Sequence, residues 1–105
     1  MMKYFSRFMV ICLLISFTNI CYADEIFNLG KKIFFGKGNC SSCHVLSDLE
    51  DNGGVAQNLN KIKPDMYRIV NTVTEGVGVM PSYKDILSFD DIDSLAVYVY
   101  ESTKK

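Results

Sequence analysis

Apolar residues recur at helical spacing in three stretches of the chain. In the first, DEIFNLGKKIFFGKG, they return every three or four positions, and the acidic start and basic later turns suit the dipole of a helix. The pattern predicts a helix that Gly36 and Gly38 end. Its apolar face comprises Ile26, Phe27, Gly30, Ile33 and Phe34.

The second and third stretches carry their own helix-end signals. In KPDMYRIVNTVTEG, Pro64 fits the first helical position and Gly76 suits the C-terminal cap. In the third stretch, Ser88 and Asp91 form a variant of the capping box, and a helical period follows them. The apolar faces are Met66, Ile69, Val70 and Val73 in the second helix and Phe89, Ile92, Leu95, Ala96 and Val99 in the third. Helical signals outweigh any strand signal, so the sequence predicts an all-α fold.

A long polar stretch separates the first two predicted helices. Residues 45–62, VLSDLEDNGGVAQNLNKI, are rich in Gly, Asn and Asp, which is typical of a loop. A loop of this length is unusual in so small a domain, which itself buries little apolar surface and often needs a cofactor or a cross-link to be stable. We therefore expect something other than regular structure to organise the loop.

The N-terminal segment has the features of an export signal. MMKYFSR is basic, the apolar run FMVICLLISF is short for a membrane span, and TNICYA ends in small residues suited to cleavage before Asp24. We predict that residues 1–23 are a cleaved signal peptide and that residues 24–105 form a single domain. A retained N-terminal anchor is the alternative, and Ile20 is bulky for a lipid attachment site at Cys21.

Cleavage would change both the charge and the cysteine content. The mature chain would keep nine Lys and Arg against all twelve Asp and Glu, a net charge of −3, which argues against a nucleic-acid partner. Cys12 and Cys21 would leave with the signal, so that Cys40 and Cys43 remain. A C-x-x-C pair in an oxidising compartment can form a disulfide, bind a metal or attach a cofactor.

The motif CSSCH places Cys40, Cys43 and His44 within five residues. Two thiols at this spacing can form thioether bonds to the vinyl groups of a haem, and the histidine that follows is placed to bind its iron. A zinc site would need more ligands than the mature chain offers, and a thioredoxin-like dithiol would need a βαβ pattern. A plain disulfide would leave His44 and the long loop without a role.

The mature chain resembles a small class I cytochrome c of the bacterial type over residues 24–105. The shared order is helix, C-x-x-C-H, long loop, middle helix, Met-Pro loop and C-terminal helix. The resemblance implies a small cytochrome c fold, in which three main helices and long loops wrap around one haem c attached through Cys40 and Cys43. It also implies that Gly30 lets the last helix approach closely and that Phe34 packs against Tyr98.

The resemblance implies the two axial ligands of the iron as well. His44 would be one, and Met80 of GVGVMPSY would be the other, with Met66 as the rival sulfur. The family usually has proline before the NL of GGVAQNLNKI, and that residue's carbonyl accepts a hydrogen bond from the histidine. This chain has Gln57 there, which keeps the carbonyl but lacks the fixed φ of proline.

With both axial positions filled, the expected function is one-electron transfer in the periplasm. The implied partners are redox proteins: a quinol-oxidising complex or a dehydrogenase as donor, and a terminal oxidase as acceptor. A membrane would be a partner only if the N-terminal segment were retained. Lys37 and Lys84 could flank the exposed haem edge and steer an acidic partner.

Two other functions remain open at this stage. The chain could be the electron-accepting haem subunit of a periplasmic dehydrogenase that oxidises sulfite or an alcohol. An apolar patch near the haem edge would favour that role, whereas a charged rim favours a diffusing carrier. A gas sensor or peroxidase would need an open iron, and no histidine or arginine lies near Met80 in the sequence to support such chemistry.

Overall fold

The fold is all-α in a computed structural model that describes residues 2–46 and 55–104, with the backbone alone for residues 15–20. Its helices are α1 (Met2–Phe35), a 3₁₀ helix (Cys40–Ser42), α2 (Leu59–Ile62), α3 (Met66–Glu75) and α4 (Phe89–Thr103). The described residues contain no strand, and a single bridge joins Val77 and Met80. The predicted fold class is therefore confirmed.

Helix α1 is longer than the sequence pattern predicted. It runs without a break from Met2 to Phe35, because the N-terminal apolar run is itself helical and no capping residue interrupts it at Asp24. The apolar side chains described between Met2 and Leu14 are exposed. None of the helices in the described part combines the length and the apolarity needed to cross a bilayer.

The two other main helices begin and end largely as predicted. Ser88 and Asp91 make the reciprocal bonds of a capping box at the start of α4, and Gly76 ends α3. Pro64 does not take the first helical position of α3, which is a correction. The Asp65 side chain caps α3 instead by accepting a bond of 2.8 Å from the Arg68 N–H, so Pro64 lies before the cap.

The predicted loop 45–62 contains some regular structure. Asn58 caps the short helix α2 by accepting a bond from the Asn60 N–H, so the last part of this stretch is helical rather than loop. Residues 47–54 of the same stretch lie outside the described residues. Short polar helices of this kind carry little periodicity, which is why the composition indicated a loop.

The core lies along α4, which packs against α1 on one side and against α3 on another. Phe34, Leu46 and Leu95 have the largest fully buried side chains. Helices α1 and α4 touch at Gly30, where an added Cβ would overlap the Ser94 carbonyl oxygen of α4. The close approach lets Phe27 and Phe34 pack edge-on against Tyr98, with ring centroids 5.1 and 5.6 Å apart. The predicted contact between Phe34 and Tyr98 is confirmed.

Candidate functional site

The CSSCH motif forms one tight turn directly after α1. The Gly38 N–H bonds the Ile33 carbonyl at 2.9 Å, which fixes the chain as it leaves the helix. The N–H groups of Cys43 and His44 then both bond the Cys40 carbonyl, at 3.2 and 2.9 Å. These bonds gather the two thiols and the imidazole onto a single turn of chain.

The two thiols differ in their surroundings. Cys40 is partly buried and packs against the core, whereas Cys43 is exposed. Burial raises the pKa of the Cys40 thiol to about 11, so this thiol is protonated at neutral pH. The Cys43 side chain is the more accessible of the two to solvent.

A backbone carbonyl orients the His44 ring. The Nδ1 atom lies 2.9 Å from the carbonyl oxygen of Gln57. A carbonyl can only accept, so Nδ1 carries the proton and Nε2 keeps the lone pair that a metal needs. Bonds from Ala56 N–H to the Cys43 carbonyl and from Leu59 N–H to the Val45 carbonyl hold this stretch against the motif. The predicted role of the Gln57 carbonyl is thus observed without proline's fixed φ.

Met80 sits in a tight loop that follows α3. Gly76 has a φ of 74°, and a Cβ there would lie 2.7 Å from the Met80 carbonyl oxygen, so the position requires glycine. Val77 and Met80 then exchange backbone hydrogen bonds of 3.1 and 2.9 Å across the turn. The Met80 side chain is partly buried against the core. Met66 also packs on the core, at the start of α3.

Ser82 and Tyr83, which follow Met80, anchor its loop. Neither was among the residues predicted from the sequence. The Ser82 hydroxyl donates to the Thr74 carbonyl of α3, and the Tyr83 N–H bonds the Val73 carbonyl at 2.9 Å. The Tyr83 hydroxyl donates to the Gly38 carbonyl at 2.8 Å. Burial raises the pKa of this hydroxyl. The one signal of this role in the sequence is the position of Tyr83, a polar aromatic residue three places after Met80.

The two lysines expected near the haem edge are both paired within the chain. The Lys37 ammonium lies 3.3 Å from an Asp91 carboxylate oxygen, and Lys84 lies 3.9 Å from Glu75. The Ser88 N–H, and after it the Lys37 ammonium, lower the pKa of Asp91. Both pairs are solvent-exposed and therefore weak, but they reduce the positive charge that either lysine presents to a partner.

The donor set of this site fits a haem. Two thiols lie on one turn, an imidazole presents Nε2, and a thioether lies in an anchored loop. A family model described as cytochrome c oxidase, cbb3-type, subunit III matches residues 27–99. The chain belongs to the cytochrome c family. Its cofactor is haem c, attached covalently through Cys40 and Cys43.

Relatives and a solved structure agree with this assignment. The cytochrome is 36% identical to cytochrome c6 of Leptolyngbya boryana over 80 residues, which cover 72% of this chain and 92% of the relative. It is 35% identical to cytochrome c6 of Microcystis aeruginosa over 82 residues, covering 72% and 96%. The crystal structure of the c-type cytochrome SorU from Sinorhizobium meliloti is 37% identical, with a TM-score of 0.69, and covers 78% of this chain and 95% of its own. The protein is thus a small haem c electron carrier.

Proposed function

We propose that this cytochrome is a periplasmic one-electron carrier whose haem iron is ligated by His44 and Met80. The observation that carries the proposal is the bond between His44 Nδ1 and the Gln57 carbonyl, which would fix the ring and leave the Nε2 lone pair available to bind the iron. A bound haem supplies the Fe(III)/Fe(II) couple, and two protein ligands leave no open site for a substrate. The electron is then all that the protein exchanges with its partners.

The thioether of Met80 would tune this couple. Sulfur is a soft and weak ligand that favours the reduced iron, so His/Met ligation raises the potential relative to two nitrogen ligands. The loop around Met80 is held at Val77, Ser82 and Tyr83, and these bonds would restrict the position of the thioether. Residues 1–23 would direct export, and their cleavage would leave a domain that begins at Asp24.

Replacing Met80 tests the ligand assignment. We expect the exported wild-type protein to have the mass of a chain that starts at Asp24 plus haem, and a low-spin spectrum that carbon monoxide does not change. Met80→Ala should abolish the Met–iron absorption band completely and let the reduced iron bind carbon monoxide. Both results are read from the absorption spectra of the oxidised and reduced forms.

Met66→Ala is the matched control, because it removes a thioether that packs on the same core. We expect the Met–iron band to survive in this variant. If Met66→Ala loses the band and Met80→Ala keeps it, the assignment of the second ligand is wrong. A wild-type mass that includes residues 1–23 would instead overturn the proposed cleavage and favour a retained anchor.

A second function is favoured by the surface around the Met80 loop. Val77 and Val79 are 64% and 99% exposed, and Lys84 beyond them is paired with Glu75. This surface is apolar, and the nearby positive charges are offset by carboxylates of the same chain. Such a surface suits a lasting contact better than electrostatic steering, which supports a role as the haem subunit of a periplasmic dehydrogenase.

The salt dependence of reduction separates the two functions. The cytochrome would be reduced by a periplasmic extract of its source cell supplied with sulfite or an alcohol. For a docked subunit, we expect a rate that changes less than about twofold between low and high salt, falls in Val79→Ser and stays the same in Lys37→Ala. A rate that falls steeply with salt and in Lys37→Ala would favour the diffusing carrier.

A further inference from the structure

Tyr83 joins the two parts of the chain that carry the proposed haem ligands. Its backbone N–H bonds the Val73 carbonyl of α3 at 2.9 Å, next to the bond between Ser82 and Thr74. Its side chain extends to the other half of the site and donates from the hydroxyl to the Gly38 carbonyl at 2.8 Å. That carbonyl lies two residues before Cys40 and 45 residues from Tyr83 in the chain.

The acceptor of this bond is itself fixed. Gly38 is buried, and its N–H bonds the Ile33 carbonyl at 2.9 Å, so the carbonyl is held against the end of α1. The Tyr83 ring is half-buried and packs against the core. A hydrogen bond between two such groups contributes to stability and also restrains the distance between the Met80 loop and the segment before the CSSCH turn.

We propose that Tyr83 is a positioning residue that holds the Met80 loop against the CSSCH turn and thereby slows the departure of the Met80 thioether from the iron. The proposal rests on the proposed function, in which Met80 is an axial ligand. His44 stays with the CSSCH turn, whereas Met80 moves with its loop. Dissociation of the sulfur requires the loop to move away from that turn, and the bond from Tyr83 to Gly38 opposes this motion.

The anchors on α3 make this effect separable from folding of the loop. Removing the Tyr83 hydroxyl leaves the Tyr83 backbone bond to Val73 and the Ser82 bond to Thr74 unchanged. The loop would keep its place on α3 but lose its direct tie to the CSSCH turn. Because the thioether binds Fe(III) more weakly than Fe(II), the loss should be visible chiefly in the oxidised protein.

Ligand exchange in the oxidised haem protein tests the proposal. Imidazole is added in excess, and the rate at which the Met–iron absorption band disappears is measured. We expect Tyr83→Phe to exchange about five to ten times faster than the wild type, the factor that corresponds to one ordinary hydrogen bond. Covalent attachment through Cys40 and Cys43 keeps the haem in the variant, so exchange can be followed even if the loop is loosened.

Tyr67→Phe is the matched control, because it makes the same chemical change at a side chain that is 81% exposed on α3. We expect it to exchange at the wild-type rate. If Tyr83→Phe exchanges no faster than Tyr67→Phe, the proposal is overturned, even if the variant unfolds at a lower temperature. A wild-type protein without the Met–iron band would instead contradict the proposed function, so the two failures are distinguishable.

Discussion

Replacing Cys40 and Cys43 together with serine is expected to leave the chain without covalent haem and without a cooperative unfolding transition. Both thioether bonds would be lost, and the domain is too small for its helices alone to provide a stable core. The core that the described residues form is confined to the contacts of α4 with α1 and with α3 and to the segments that pack beside them. We therefore expect a complete loss of haem, measured by mass, and of the sigmoidal thermal transition, measured by far-UV circular dichroism.

The same change at Cys12 and Cys21 provides the control. These cysteines lie in the N-terminal part of α1, outside the site and within the segment proposed to be cleaved. Cys12→Ser/Cys21→Ser should retain the full haem content and the wild-type transition. A Cys40→Ser/Cys43→Ser protein that stays well folded without haem would contradict the idea that the haem forms much of the core. The contacts between the helices would then be sufficient for folding.

Replacing Gly30 with alanine is expected to destabilise the haem protein by about 3 kcal/mol. The new Cβ would overlap the Ser94 carbonyl oxygen and would lie 2.7 Å from the Cβ of Tyr98. The α4 backbone fixes the positions of both atoms, so the helices must move apart. The Phe27 and Phe34 contacts with Tyr98 would then loosen as well. Urea unfolding, followed by circular dichroism, measures the change.

Asn28→Ala serves as the matched control, because Asn28 is exposed two positions earlier on the same helix. Alanine has a higher helix propensity than either asparagine or glycine, so propensity alone should make both variants slightly more stable. We expect Asn28→Ala to match or exceed the wild type while Gly30→Ala falls well below it. Equal stability of the two variants would show that α1 and α4 can accommodate a Cβ at position 30 without loss of packing.

The accuracy of the sequence predictions followed the range of the interactions behind them. The capping box of Ser88 and Asp91 and the end of α3 at Gly76 were predicted correctly, since each depends on residues within a few positions. Pro64 was misplaced because Asp65 competes for the same helix end and forms the better cap. The start of α1 was missed because an apolar helix can continue into the next one without a signal at their junction.

The resemblance to the cytochrome c family predicted contacts that local patterns could not. It implied the meeting of Phe34 with Tyr98 and the bond from His44 to the residue at position 57, and both are present. No periodicity relates residues so far apart in the chain. The haem ligands His44 and Met80 remain predictions of the same kind, supported by their surroundings and open to the spectroscopic test.

The sequence by itself determined the chemistry of this protein, because five consecutive residues hold both thiols and the imidazole, and helix spacing and caps are local properties. Only the tertiary structure decided how those groups are oriented and what lies beside them. The Gln57 carbonyl places the proton of the His44 ring on Nδ1. Tyr83 bonds Gly38 across 45 residues of chain, and Lys37 pairs with Asp91 across 54. Such contacts depend on how the helices pack, and no pattern within one segment specifies which distant partner a polar group will meet.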